Sequence, residues 1–361
     1  MLKNENGKTA MDSWLIYGAY GFTGRLVAEE AAKRGLKPIL AGRDHKKLRP
    51  LAERLGLPFR VAALDDPNGL DAALEDIQAA LNAAGPFVQT ADPLIKTCLK
   101  KKVHYLDITG EIPVFQKAFR LDGEARERGV ALIPGVGFDV VPTDCLAAHV
   151  HQRLPGASRL KLAVAGLLRP SRGTLKTMLG FLPQGGWVRK NGQLEAFPLG
   201  EGKEQIRFPL KTLDAYPIPW GDLETAWRTT GIPNITTYMA LPGSLMGLGG
   251  PGIRLSQKAA KSGLLQKGMI SALRLLPEGP NEKTMKKGHG YVYARVEQDD
   301  GQALEAWLET PETYRFTALS CLASVGELFR LRPVGALTPA LAFGEDFVLK
   351  IEGVKRYDTL P

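Results

Sequence analysis

The chain has 361 residues, enough for two domains with sizeable cores, since a single core rarely grows past about 250–300 residues. A composition of 44% apolar and 24% charged residues excludes a disordered or fibrous protein, and no run reaches the roughly 18 uncharged apolar residues of a membrane span. The net charge of +9 calls for an anionic partner, while three well-separated cysteines, Cys98, Cys145 and Cys321, argue against a disulfide framework and fit a reducing, cytoplasmic compartment.

Residues 1–11 read as a flexible leader without a signal-peptide core. The apolar run Trp14–Tyr17 predicts a buried strand, and Arg25–Arg34 a helix. Between them lies Gly18-Ala-Tyr-Gly-Phe-Thr-Gly24. Strand, glycine turn and helix N-terminus make a phosphate site, because bare glycines let the backbone approach a pyrophosphate and the unpaired N–H groups of the first helical turn face the anion. The spacing is G-x-x-G-x-x-G, with Tyr20, Phe22 and Thr23 between Gly18, Gly21 and Gly24.

The alternation then continues. Strands are expected at 36–41, 59–64, 78–82, 103–107 and 130–133. Helices are expected from Asp44 to Leu55, Pro67 to Asp76, Asp92 to Lys102 with Pro93 at its start, and Pro113 to Arg128. Six strands separated by helices predict a Rossmann-type, doubly wound parallel sheet over residues 12–153.

After a helix from Thr143 to Leu154 the pattern changes. Arg159–Val164 alternates polar and apolar residues, and Asn191-Gly192 and Asp300-Gly301 are hairpin turns, the second flanked by Tyr291–Glu297 and Ala303–Glu309. Residues 154–312 are therefore expected to form a second α+β domain with a mixed or antiparallel sheet. Residues 313–361, opening with an apolar helix from Tyr314 to Leu331, are expected to return to the first. Thr225–Pro277 contains no carboxylate, and Arg228, Arg254, Lys258, Lys261, Lys267 and Arg274 give it six positive charges. Residues 253–276 are basic and amphipathic, preceded by the glycine cluster Gly243–Gly252. Such a stretch suits a subunit interface, as in a homodimer, or a surface for an anionic, acylated or membrane-held group.

Four stretches carry candidate chemistry. The second strand ends Ala41-Gly42-Arg43-Asp44, where an acidic residue would bind an NAD ribose; Arg43 can instead pair with a 2′-phosphate, which favours NADP. Asp44 competes as a ribose ligand or serves as a helix N-cap, and Asp65 is placed to meet the adenine amino group. Ala84, Gly85 and Pro86 follow the fourth strand, beside the first across the switch point, and leave room for the nicotinamide ribose. Asp107, Glu111 and Asp139 follow the fifth and sixth strands on the same carboxyl edge and are the candidates to orient or protonate a substrate; Asp144 is as well suited to cap its helix. No Tyr-x-x-x-Lys pair, H-E-x-x-H, G-x-S-x-G or Walker pattern occurs, so neither metal chemistry nor hydrolysis is expected, and nucleic-acid binding has no motif.

Five blocks in order, Gly18–Gly24, Ala41-Gly-Arg43, Asn82-Ala-Ala-Gly-Pro-Phe87, Tyr105-Leu-Asp-Ile-Thr-Gly-Glu111 and Pro134–Pro142, make the chain resemble the saccharopine dehydrogenase-like NADP-binding family, which includes trans-acting enoyl reductases. The resemblance covers roughly the first 150 residues well and the remainder loosely, through Ile218–Gly221, Gly231–Asn234 and Thr338–Gly344. It implies an NADP-dependent oxidoreductase that moves a hydride to or from an imine or onto an enoyl double bond, on a small-molecule or acyl-carrier-borne substrate. The alternative is a dinucleotide-binding regulator or scaffold without chemistry, since no acid–base pair stands out.

Overall fold

The computed structural model describes residues 13–166, 170–181, 183, 185–240 and 262–360. The expected leader, the glycine cluster Gly243–Gly252 and positions 253–261 of the basic stretch lie outside them. Two compact units divide the chain: residues up to Val141 with Tyr314–Ile351, and Pro142–Thr313 with the segment from Glu352 onward.

The first unit alternates strand and helix: β1 Trp14–Tyr17, α1 Phe22–Lys33, β2 Ile39–Gly42, α2 His45–Leu55, β3 Phe59–Val61, α3 Pro67–Ala73, β4 Ala79–Asn82, α4 Phe87–Lys101, β5 His104–Asp107, α5 Ile112–Arg120, α6 Asp122–Arg128 and β6 Ala131–Ile133. The strands pair in parallel in the order β6-β5-β4-β1-β2-β3, and a seventh, Gly335–Ala336, joins the outer edge of β6 from the far end of the chain. Helices cover both faces, so β1 and β4 are buried at every residue, and β4 is apolar up to Asn82 at its carboxyl end. One core layer packs Leu15, Tyr17, Leu94, Ile95, Cys98, Tyr105 and Leu132 together.

Two helices depart from the sequence expectation. α4 begins at Phe87, five residues before Asp92, and Pro93 lies inside it. A proline fits a first turn most easily, but an interior one costs only its own hydrogen bond and local crowding, which the buried face of α4 offsets. The helix expected from Pro113 to Arg128 breaks at Leu121, where Asp122 accepts a hydrogen bond from the Ala336 N–H at 2.7 Å and so anchors the seventh strand.

The second unit is built on a mixed sheet of nine strands among the described residues. Its strands include β7 Arg159–Ala165, β8 Gly186–Lys190, β9 Gln193–Phe197, β10 Glu204–Arg207, β11 Thr212–Pro217, β12 Asn234–Ala240, β13 His289–Glu297 and β14 Ala303–Pro311. β7 and β12 are parallel neighbours, whereas β13 and β14 form the hairpin expected at Asp300-Gly301. Helices α7 Val141–Arg153, α8 Arg172–Phe181 and α9 Asp222–Thr230 accompany it, and the C-terminal strand Lys355–Tyr357 extends its edge beside β14. A buried ion pair, Arg189 to Glu224 at 2.7 Å, ties β8 to α9, and the same guanidinium lies 4.0 Å over the Trp227 ring. Among the described residues no helix is long and apolar enough to cross a membrane.

Candidate functional site

The turn after β1 has room for backbone and little else. Gly18 sits at φ +79°, and a β-carbon there would lie 2.7 Å from the Ala84 β-carbon. A β-carbon on Gly24 would come within 2.3 Å of the Gly18 carbonyl oxygen, so the first turn of α1 rests directly on the loop that precedes it. The Gly21 N–H donates to the Gly18 carbonyl at 2.9 Å, and the Gly18 N–H donates to Ala41 on β2 at 2.8 Å. Among the described residues no side chain caps α1. Its first N–H groups have no acceptor within the helix and carry the positive end of the helix dipole. Phe22 is fixed by an edge-to-face contact with Tyr314, ring centroids 5.2 Å apart.

At the end of β2, the Tyr20 ring lies against Gly42, where a β-carbon would meet it at 2.7 Å. Lys47 stands 5.6 Å from the centroid of the same ring. Asp44 accepts hydrogen bonds from the Lys46 and Lys47 N–H groups at 3.0 and 3.3 Å, which makes it the N-cap of α2. Arg43 next to it is exposed and makes no hydrogen bond or ion pair among the described residues. Asp65 is exposed on the turn after β3, and its charge and that of Tyr20 reinforce the burial that pushes the Tyr17 phenol up to about 12.

The carboxyl ends of β4, β5 and β6 are joined by one chain of buried hydrogen bonds. Asn82 donates to Thr90 and Tyr105, each at 3.2 Å, and accepts from the Ala84 N–H at 3.0 Å. The Tyr105 hydroxyl donates to Asp107 at 2.8 Å, and Asp107 also accepts from the Thr109 and Gly135 N–H groups at 3.0 and 2.9 Å. Thr109 in turn accepts from the Glu111 N–H. The Glu111 carboxylate reaches back to α4, accepting from the Phe87 N–H at 3.0 Å and the Val88 N–H at 2.7 Å. Burial raises Asp107 to about 6 against the pull of its three donors.

Asp107 and Glu111 are thus occupied with holding loops, while Asp139 is not. It is half-buried after β6 and has no hydrogen-bond partner among the described residues. Desolvation, and then the charge of Glu111, push it up to about 7. Its loop is pinned by the helix Thr313–Leu331, where Thr317 accepts from the Phe138 N–H at 3.1 Å and Ser320 donates to the Val136 carbonyl at 2.8 Å. Thr317 and Ser320, some 180 residues away, carry no sequence signal for this role. Asp144 belongs to the other unit and accepts from Thr229.

A parallel sheet with an uncapped glycine turn at its switch point defines a dinucleotide-binding domain of the doubly wound class. Comparison extends this: residues 14–133, a third of the chain, match the model described as "Saccharopine dehydrogenase NADP binding domain", so this part of the chain is an NADP-binding domain of that kind. The chain is 30% identical over 162 residues to a trans-acting enoyl reductase of Mycobacterium ulcerans, covering 43% of this chain and 39% of that protein. It is 27% identical over 252 residues to a saccharopine dehydrogenase-like oxidoreductase of Bos taurus, covering 60% and 58%. These matches span between two-fifths and three-fifths of the relatives' own length. The fold is also that of apo saccharopine dehydrogenase (L-Glu forming) from Saccharomyces cerevisiae, with a TM-score of 0.60 at 14% identity over 95% of this chain and 99% of that one.

Proposed function

We propose that the chain is an NADP-dependent oxidoreductase that moves a hydride to or from an imine carbon, or onto an enoyl double bond, of a small-molecule or acyl-carrier-borne substrate. The names of its relatives support this class of reaction, and Asp139 is the observation that carries it. An unpartnered carboxyl group raised to about 7, at the carboxyl edge of an NADP-binding sheet, is suited to give a proton near neutral pH.

The residues fit the cofactor. Gly18, Gly21 and Gly24, with Tyr20, Phe22 and Thr23, form a turn whose glycines pack too tightly on Ala84 and on the Gly18 carbonyl to carry side chains, and the open N-terminus of α1 suits a pyrophosphate. Gly42 and Arg43 receive the 2′-phosphate, since Asp44 is committed to its helix and offers the ribose no competing carboxylate. Asp65 borders the adenine, and Ala84, Gly85 and Pro86 the nicotinamide. NADPH, when bound, supplies the hydride. Asp139 gives its proton to the imine nitrogen, or to the carbon next to the thioester carbonyl, and regains one from solvent. Asp107 and Glu111 act as positioning residues that hold the three loops still.

The test is a fluorescence titration of NADPH and NADH against wild type and Arg43→Ala, followed by turnover of imines and enoyl thioesters by wild type and Asp139→Asn. Arg43→Ala should weaken NADPH by about 2 kcal/mol, the size of a lost charge-assisted pair, and leave NADH unchanged. Asp139→Asn should bind NADPH normally yet lose turnover and the pH dependence near 7. Tight NADPH binding without turnover of any substrate would favour the non-catalytic regulator.

A further inference from the structure

The second unit contains two long acid-free runs. One is the Thr225–Pro277 stretch, and the other extends from Cys145 to Leu194, again without an aspartate or glutamate. The fold brings part of each together: α8 packs beside the helix Gly263–Ala272 and the single turn Leu273–Leu275 that follows it. Gln266 donates to the Leu179 carbonyl at 2.9 Å, and the Arg172 guanidinium donates to the Leu276 carbonyl at 2.7 Å. Two segments poor in countercharge thus meet on one surface.

Apolar side chains stand out from that pair. Leu275 is 89% exposed, Met178 47% and Leu276 43%. Gly268, Ser271, Ala272 and Leu275, spaced three and four apart, are all exposed and all uncharged. Lys176 on α8 and Arg274 in the single turn are exposed and make no ion pair among the described residues. The next carboxylates in the chain, Glu278 and Glu282, come only after Pro277.

We propose that this helical pair docks on an anionic lipid surface, with Lys176 and Arg274 at the phosphate headgroups and Leu275, Leu276 and Met178 in the upper acyl layer. Charge complementarity points to an anionic occupant, and the protruding leucines point to lipid, because a partner recognised by charge alone leaves them in water. The surface lies in the second unit and shares no residue with the nucleotide site, so the proposal stands or falls independently of the hydride-transfer reading.

Flotation of the full-length protein with phosphatidylcholine vesicles, with and without phosphatidylglycerol, tests it. Wild type should float with the anionic vesicles alone and be released by salt. The double variant Lys176→Gln, Arg274→Gln, which removes two unit charges, should bind on the order of 25-fold more weakly, at about fivefold per unit of charge near the surface. Leu275→Ser with Leu276→Ser should cost about tenfold or more from lost apolar burial. Circular dichroism and NADPH titration report whether each variant is folded, and the wild-type comparison needs no variant. Equal flotation with and without phosphatidylglycerol overturns the proposal. So does binding to soluble polyglutamate that matches vesicle binding and is untouched by the leucine changes, which would assign the surface to an acidic protein.

Discussion

Glu111→Gln separates the two consequences of one buried carboxylate. Glu111 is 2% exposed, and its two oxygens accept from the Phe87 and Val88 N–H groups at the start of α4. A glutamine offers one oxygen and one NH2, so one of those amides faces a donor. Leaving a buried amide unpaired costs about 1–3 kcal/mol, and losing the negative charge at a helix N-terminus adds about 0.3–1 kcal/mol. The variant should therefore lose about 1.5–4 kcal/mol in urea unfolding, with faster hydrogen exchange at the Phe87 or Val88 amide. The charge of Glu111 also helps raise Asp139, so the Asp139 titration should move below about 7 in the same variant. Stability within about 0.5 kcal/mol of wild type, the ordinary range of a surface change, would refute the capping argument. An unmoved Asp139 would refute the electrostatic one.

Gly24→Ala places a β-carbon against the Gly18 carbonyl and should abolish NADPH binding in a titration, while β13 and β14 keep their amide protection. Asp107 binds its proton more tightly folded than unfolded, about 6 against an ordinary 3.8. Its contribution of about 3 kcal/mol is therefore full below about pH 4 and lost as the pH rises through 6. Asp107→Asn, which can still accept from Thr109 and Gly135 and donate to Tyr105, should flatten the stability profile in that window. Arg189→Met leaves Glu224 buried without its guanidinium and should cost about 3–5 kcal/mol, and adding Glu224→Leu should restore much of it in denaturant melts.

The sequence carries the first unit well because its signals are local. An apolar run at β1, glycines at fixed spacing and a helix behind them are read within twenty residues, and Asp44 could be recognised as a cap from the three residues that follow. What escaped is nonlocal. Gly335–Ala336 is too short and too small to look like a strand, and becomes one only because β6 offers it an edge. The start of α4 is set by Glu111, whose carboxylate arrives from beyond β5, while Pro93 gave a misleading local mark. Likewise β10 to β12 escaped, and the parallel pairing of β7 with β12 joins segments some 70 residues apart, whereas the Asn191-Gly192 turn had marked the hairpin of β8 and β9. In the site, glycines and Arg43 were legible by type and place. That Asp107 and Glu111 are saturated with donors while Asp139 is not depends on which loops meet in space.

The seventh strand also sets a timetable for biogenesis. A ribosome must add roughly 200 residues after β6 before Gly335 and Ala336 emerge, a delay of about 10–40 s at ordinary elongation rates. Throughout that interval the nascent sheet shows an unpaired border, the kind of template on which strands of other chains add. A frameshift or early stop anywhere between β6 and Gly335 leaves that border permanently bare, so truncations mapped to that interval should surface as aggregation of the nucleotide-binding unit.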